Sequence, residues 1–72
     1  MSKQLTPFTD AVFAEGELSA TMKELVAVAV ANVTQCPYCI RQHTAAAIQR
    51  GATAAQIMEA ISIAAEMRAG AA

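Results

Sequence analysis

The amino-acid sequence predicts an all-α fold, a compact helical unit of about four helices that forms a single domain over residues 1–72. Apolar residues recur at steps of three and four, which places them on one face of a helix. Residues that start and end helices divide the chain into four segments with very short joints. A run of valines in the middle of the chain would suit a strand, but the alanine, leucine and glutamate around it favour a helix.

The first helix is predicted over about Pro7 to Glu15. Thr6 is a good N-cap residue, and the proline that follows it is well tolerated at the first helical position. Gly16, just past the predicted end, suits the left-handed conformation that commonly caps a helix C-terminus. This segment therefore has a start signal and a stop signal.

The second helix is predicted to start after Ser19, which can cap it, and to end near Val33 to Gln35. Its apolar side chains recur at helical spacing and should form a stripe that faces the core. The predicted stripe consists of Met22, Leu25, Val26, Ala29 and Val33.

The third helix is predicted to begin at Cys36 or Pro37 and to stop at Gly51. The fourth follows Thr53, and Gln56 three residues later completes a capping-box pattern. The apolar face of the fourth helix is predicted to consist of Ile57, Ile61, Ala64 and Ala65.

The charge pattern argues against nucleic-acid and membrane partners. Five lysine and arginine residues and six aspartate and glutamate residues give a net charge of -1. The basic residues are scattered and form no stripe of the kind that nucleic acid or an anionic membrane requires. The chain contains no apolar run of about twenty residues, and its N-terminus lacks the plan of a signal peptide. We therefore expect a cytoplasmic protein with no nucleic-acid and no membrane partner.

The size and composition of the chain predict a homo-oligomer. A chain of 72 residues is marginal as a fold on its own. Much of its apolar content comes from 18 alanines, whose small side chains allow helices to approach closely. We expect subunits to bury apolar surface against one another.

The motif Cys36-Pro37-Tyr38-Cys39, followed by His43, indicates thiol chemistry. Two cysteines at this spacing in a reducing compartment are more often reactive or metal-bound than structural. Cys36 lies at a helix start, where unpaired backbone N–H groups and the helix dipole stabilise a thiolate. Cys39 and His43 are four residues apart on one helix face, which allows proton transfer between them. We expect Cys39 to be the better-activated sulfur, with Cys36 one turn away to close a disulfide.

Glu24 is the candidate partner of the imidazole. Its neighbours along the helix face are apolar, and a buried carboxylate needs a partner. If the second and third helices form an antiparallel hairpin turning near Gln35, Glu24 and His43 differ in height by about one turn. A carboxylate there would orient the imidazole and raise its basicity, and the imidazole could take the proton from Cys39.

This spacing of Glu24, the two cysteines and His43 resembles the pattern of the alkylhydroperoxidase D-like proteins in the carboxymuconolactone decarboxylase superfamily. The resemblance implies an all-α fold that assembles into trimers or hexamers. A branch without the cysteine pair decarboxylates a lactone, so the two thiols favour the redox branch. Further matches to the usual helix starts and ends of the family are Leu18-Ser19-Ala20, Lys23-Glu24-Leu25, Gly51-Ala52-Thr53 and Met67-Arg68-Ala69-Gly70.

The resemblance also implies an activity and a role for each site residue. The residue matching Cys39 attacks a hydroperoxide, and the one matching Cys36 resolves the product. The residues matching His43 and Glu24 relay the proton. A dithiol such as a lipoyl group supplies the electrons, and no cofactor or metal is expected. The predicted function is that of a thiol-dependent peroxidase.

Two other interpretations of the same residues remain open. The dithiol could belong to a non-enzymatic redox sensor or adaptor whose disulfide changes partner binding. Alternatively, Glu24, Cys36, Cys39 and His43 could hold zinc in an interaction module, although structural zinc sites usually draw on a second cysteine or histidine pair. Peroxide turnover distinguishes the enzyme from the sensor, and metal content distinguishes it from the zinc module.

Overall fold

The computed structural model describes residues 6–71, and within them the prediction of a four-helix, all-α fold is confirmed. No strand occurs in this range. None of the helices in the described part combines the length and the apolar character needed to cross a membrane. The helices are α1 (Thr6–Phe13), α2 (Ala20–Thr34), α3 (Pro37–Gln49) and α4 (Ala54–Ala71).

Helix α2 is the centre of the fold and packs extensively against both α3 and α4. The α2–α3 joint is very short because Gln35 adopts the left-handed conformation, with φ 58° and ψ 44°, and its N–H donates to the Ala31 carbonyl. This sharp reversal turns α2 and α3 into the expected antiparallel hairpin. The hairpin brings α2 alongside α3, so that Glu24 of α2 lies against His43 of α3 at the candidate site.

The predicted end of α1 is wrong by two residues. The helix ends at Phe13 rather than at Glu15, and Gly16 does not adopt a left-handed conformation. Its carbonyl groups are satisfied differently: the Lys23 ammonium donates to the Val12 and Ala14 carbonyls at 2.8 and 2.7 Å. Because a side chain from α2 caps this end, no glycine cap is required. The predicted capping role of the Thr6 side chain lies outside what the structure describes.

The other predicted caps are confirmed. The Ser19 hydroxyl accepts from the Met22 N–H at 3.0 Å. Thr53 and Gln56 form a reciprocal capping box, with bonds of 2.9 and 3.1 Å. Gly51 follows α3 with φ 99°, a conformation that favours glycine. The bonds satisfy backbone groups at the starts of α2 and α4, and Gly51 lies in the joint after α3.

The core is small and lies where α2, α3 and α4 meet. Val28 is fully buried there, and alanines fill much of the space around it. Alanine at these positions lets the helix backbones approach closely. The central cluster comprises Val28, Ala47, Ala52 and Ile57, with Leu25 and Ile61 packed against it.

The predicted core stripe of α2 is largely wrong. Met22, Val26 and Val33 are exposed, and of the stripe Leu25 packs against the core. The buried face of α2 is instead formed by Ala20, Glu24, Val28 and Ala31. The Glu24 carboxylate can be paired inside the molecule only when this face of α2 points inward. The larger apolar side chains of α2 then lie on the outside.

The predicted apolar face of α4 is confirmed at three of its four positions. Ile57 and Ala64 are buried, and Ile61 is partly buried against the core. Ala65 is exposed, so its assignment to the face was wrong. It follows Ala64 directly and therefore points about 100° away around the helix.

Candidate functional site

The two cysteines lie at the first turn of α3. Cys36 is the N-cap residue, with φ -93° and ψ 102°, and Pro37 occupies the first helical position. The Cys36 sulfur accepts a hydrogen bond from the Cys39 backbone N–H at 3.3 Å. A sulfur thus occupies the place that a serine or aspartate oxygen takes in an ordinary N-cap. Both cysteines are free thiols and partly exposed.

The two thiols differ in their acidity. Hydrogen bonds from the Cys39 thiol and from the Cys39 backbone N–H lower the pKa of Cys36. The same contact with Cys36, followed by burial, raises the pKa of Cys39. Cys36 is therefore the more acidic of the two thiols, whereas the sequence led us to expect the better-activated sulfur at Cys39. Because the pKa of Cys39 is raised, its ionisation requires a base.

A base is held near that thiol by a buried carboxylate. His43 Nδ1 and Glu24 Oε1 are 2.8 Å apart, which confirms the predicted contact between α2 and α3. Glu24 is only 5% exposed. No buried side-chain nitrogen or oxygen within the described residues lacks a hydrogen-bond partner, so this carboxylate is satisfied by the imidazole. With Nδ1 engaged, Nε2 is the ring nitrogen available for exchange of a proton.

Phe13 is a site residue that the sequence did not reveal. Its ring stacks on the His43 imidazole, with centroids 5.2 Å apart and an angle of 22° between the planes. Phe13 is thirty residues away in the sequence and belongs to a different helix. No spacing rule connects the two residues, so only the packing of α1 could reveal the contact.

Two cavities meet at Cys39 and His43. The first, of about 460 Å³, is lined in part by the polar side chains of Asp10, Gln42 and Arg50. The second, of about 470 Å³, is bordered mainly by apolar residues of α1 and α2. Both are lined by Phe13, Cys39 and His43, whereas Cys36 lines neither of these two. Of the two sulfurs, Cys39 is therefore the one that faces these cavities.

The geometry does not favour a metal centre. No group of three or more histidine, cysteine, aspartate or glutamate side chains between residues 6 and 71 is arranged to hold a metal ion. Glu24 and His43 are engaged with each other instead. The four residues thus form a thiol pair beside a carboxylate–imidazole pair.

Tyr38, between the two cysteines, is half exposed and turned along the helix surface. Its hydroxyl accepts a hydrogen bond from Gln42 at 2.8 Å. Both residues line the first of the two cavities. Tyr38 therefore contributes to the wall of that cavity.

These features define a small helical protein with a dithiol at a helix start and a histidine–glutamate pair beside it. The sequence pattern of the carboxymuconolactone decarboxylase family matches residues 1–72. The chain belongs to this family.

Comparisons with solved structures agree with the fold. A carboxymuconolactone decarboxylase family protein from Thermotoga maritima, described as a candidate for involvement in the antioxidative response, is 33% identical with a TM-score of 0.85. The match covers 92% of this chain and 68% of that one. A protein from Methanobacterium thermoautotrophicum is 35% identical with a TM-score of 0.87, over 96% of this chain and 78% of that one.

The curated relatives are uncharacterized. Protein 4 in the cox locus of Paracoccus denitrificans is 64% identical over 61 residues, which are 85% of this chain and 55% of that protein. A protein of Cupriavidus necator is 41% identical over 56 residues, or 78% of this chain and 50% of its own length. The chain thus spans about half the length of the curated relatives it matches.

Proposed function

We propose that this protein is a thiol-dependent peroxidase that reduces hydroperoxides through a dithiol and disulfide cycle of Cys36 and Cys39. The observation that carries the proposal is the bond between His43 and Glu24 beside cavities that Cys39 lines. A thiol with a raised pKa requires a base, and an imidazole oriented by a carboxylate is such a base.

In the first step, His43 takes the proton of Cys39. The thiolate attacks the terminal oxygen of the hydroperoxide, the O–O bond breaks, and Cys39 becomes a sulfenic acid. The alkoxide that leaves receives the proton from His43 and departs as an alcohol. Glu24 stabilises the imidazolium that exists between these two transfers.

In the second step, the Cys36 thiolate attacks the sulfenic sulfur. The S–O bond breaks, a disulfide forms, and the hydroxide takes up a proton to become water. The lowered pKa of Cys36 suits this role, because the thiolate is the attacking form of a cysteine.

An external dithiol, for which a lipoyl-type group is our candidate, then reduces the disulfide by exchange and is itself oxidised to a disulfide. One hydroperoxide and one dithiol thus give one alcohol, one water and one disulfide. Both sulfurs are partly exposed, which supports attack on this disulfide by an external donor.

The family and the fold support a redox role only in general terms. The Thermotoga maritima relative is described as a candidate for the antioxidative response, which agrees with peroxide chemistry. The cysteine and histidine roles, the hydroperoxide substrate and the dithiol donor are all proposals for this chain. A cytoplasmic location and a single domain over residues 1–72 belong to the same proposal.

Peroxide consumption in the presence of dithiothreitol tests this proposal. We expect wild type to turn over an organic hydroperoxide and Cys39→Ser to be inactive. With dithiothreitol omitted, Cys36→Ser should consume one equivalent of the hydroperoxide and then stall with Cys39 as the sulfenic acid, because no resolving thiol is present. Equal residual turnover in both variants would refute the assignment of the two roles.

The same assay separates the enzyme from its alternatives. Reversible disulfide formation with no turnover above that of free thiols would favour a redox sensor or adaptor. Stoichiometric zinc in freshly purified protein, lost together with the fold on chelation, would favour the zinc module. Either result would contradict the peroxidase proposal.

We also propose that the protein forms a homo-oligomer, with a trimer or hexamer as the expected state. The supporting observation is the apolar surface that α2 and α4 leave exposed, which includes Val26, Val30 and Ile63. Val30→Asp should reduce the assembly to monomers in analytical sedimentation. A wild-type protein that sediments as a folded monomer at micromolar concentration would refute this proposal.

A further inference from the structure

We propose that Phe13 is a positioning residue that fixes the plane of the His43 imidazole, an inference that rests on the proposed thiol chemistry. The two rings are stacked, with centroids 5.2 Å apart and planes 22° from parallel. Phe13 contacts the base through one face of its ring. It is not itself a catalytic residue, because it has no group that exchanges a proton.

A hydrogen bond at one ring nitrogen leaves the imidazole free to rotate about that nitrogen. The bond from His43 Nδ1 to Glu24 fixes one atom of the ring, and the ring can still swing about that contact. Stacking against one face restricts this motion and thereby fixes the direction in which Nε2 points. Proton transfer requires heavy atoms within hydrogen-bond reach, so the direction of Nε2 determines the rate at which Cys39 can ionise.

The sequence holds Phe13 in place through Lys23. The Lys23 ammonium donates to the carbonyls of Val12 and Ala14, which are the residues immediately before and after Phe13. Phe8, about one and a half turns earlier on the same helix, is 69% exposed. The end of α1 is therefore fixed at the residue that touches His43. Lys23 belongs to α2, next to Glu24, so the same helix turn holds both partners of the imidazole.

Phe13 also lies between the two cavities. It lines both of them together with Cys39 and His43. Its loss would open the imidazole to water from both sides as well as release the ring. Both consequences weaken the base, and the loss of ring stacking is the one that depends on an aromatic side chain at this position.

The experiment compares Phe13→Leu with Phe13→Tyr and with Phe8→Leu as a matched control on the same helix. The first readout is the rate at which iodoacetamide alkylates Cys39 in a Cys36→Ser background, as measured by mass spectrometry. We expect Phe13→Leu to slow this reaction about 10-fold to 100-fold. Phe13→Tyr, which retains the stack, should restore most of the rate, and Phe8→Leu should match wild type.

The second readout is the NMR spectrum of His43. The ring current of Phe13 should shift the imidazole protons upfield in wild type and in Phe13→Tyr, and this shift should disappear in Phe13→Leu. A merely structural role would not separate tyrosine from leucine in this way. Both readouts are independent of peroxide, so they test Phe13 even if peroxide turnover fails.

Two results would overturn the inference. One is a Phe13→Leu protein that is folded by circular dichroism and alkylates Cys39 at the wild-type rate. The other is a Phe8→Leu protein as slow as Phe13→Leu, which would assign the effect to α1 as a whole.

Lys23→Met should slow the alkylation of Cys39 less than Phe13→Leu does, because it keeps the aliphatic stem and removes the two bonds to the end of α1.

Discussion

The two faces of α2 differ in a way that explains how this small fold is built. The buried face carries a carboxylate, one valine and small alanines, with Glu24 and Val28 at its centre. The exposed face carries the larger apolar side chains, including Met22, Val26 and Val30. A helix that maximised apolar burial within this chain would be rotated the other way. Its observed orientation is the one that pairs Glu24 with His43 and lets alanines pack closely against α3 and α4.

The orientation of α2 allows the contact between Glu24 and His43. Burial of Glu24 without a partner would be costly, so the carboxylate and the imidazole must meet. The hairpin turn at Gln35 sets their relative height, and Val28, one turn beyond Glu24, packs into the core. The larger apolar side chains on the other face of α2 stay exposed in the described chain, namely Met22, Val26 and Val30.

The largest effect is expected from the buried carboxylate. Glu24→Leu removes the partner of His43, and we expect a loss of about 100-fold in the rate of peroxide consumption, because the base is neither oriented nor stabilised. Glu24→Gln, which can still bond Nδ1, should lose less. Glu66→Gln on the exposed surface of α4 is the control for removal of a carboxylate and should match wild type. A Glu24→Leu enzyme of full activity would exclude the relay.

One type of substitution, valine to alanine, compares how much each face of α2 contributes to the stability of the fold. Val28→Ala, at a side chain that is 0% exposed, should lower the free energy of unfolding by about 2 kcal/mol, because it leaves a cavity in the core. Val30→Ala, at a side chain that is 54% exposed, should change it by less than about 0.5 kcal/mol. Urea denaturation at low protein concentration measures the free energy of unfolding of both variants.

The same pair of variants sharpens the oligomer proposal. If subunits cover the exposed face, the cost of Val30→Ala should grow with protein concentration, because association stabilises the folded state by mass action. Equal costs for the two variants in the monomer would contradict the assignment of faces.

A smaller effect is expected where α2 begins. Ser19→Ala removes the acceptor for the Met22 N–H and should cost about 1 kcal/mol of stability. Ser62→Ala is the matched control, because the Ser62 hydroxyl donates to the Met58 carbonyl within α4 and caps no helix end. Thermal unfolding should show a lower midpoint for Ser19→Ala than for Ser62→Ala. A loss in Ser62→Ala as large as that in Ser19→Ala would remove the cap as the explanation.

The smallest effect concerns the acidity of the two thiols. A pKa lowered by hydrogen bonds from Cys39 means that Cys36 becomes a thiolate at lower pH than an ordinary cysteine, whereas Cys39 ionises at higher pH. We therefore expect iodoacetamide to label Cys36 first as the pH is raised. Cys39→Ala removes the thiol donor and should shift Cys36 labelling to higher pH. Earlier labelling of Cys39 would reverse the assigned order of acidity.

The sequence predicted the features that are encoded locally. Ser19, the Thr53 and Gln56 capping box and the hairpin near Gln35 follow from rules that act over a few residues, and all three are confirmed. The contact of Glu24 with His43 was also predictable, because a buried acid and a basic residue on neighbouring arms of a hairpin have few other partners.

The features that the sequence did not predict depend on tertiary packing. Helix α1 ends early because Lys23, from another helix, caps it, and the Phe13 stack arises only after α1 has docked. The face of α2 was misassigned because hydrophobicity favours the larger side chains. Which of the two thiols, Cys36 or Cys39, has the lower pKa depends on the direction of the hydrogen bond between them. The spacing of the two residues in the sequence does not determine that direction.

The most direct test of the central claim is a single oxidation of the fully reduced protein. Reduced wild type is mixed with a slight excess of an organic hydroperoxide, and its free thiols and intact mass are followed over seconds. We expect the loss of two hydrogen atoms, as Cys36 and Cys39 form a disulfide, at a rate far above that of a free thiol. Thiol loss no faster than that of free cysteine would contradict the peroxidase account.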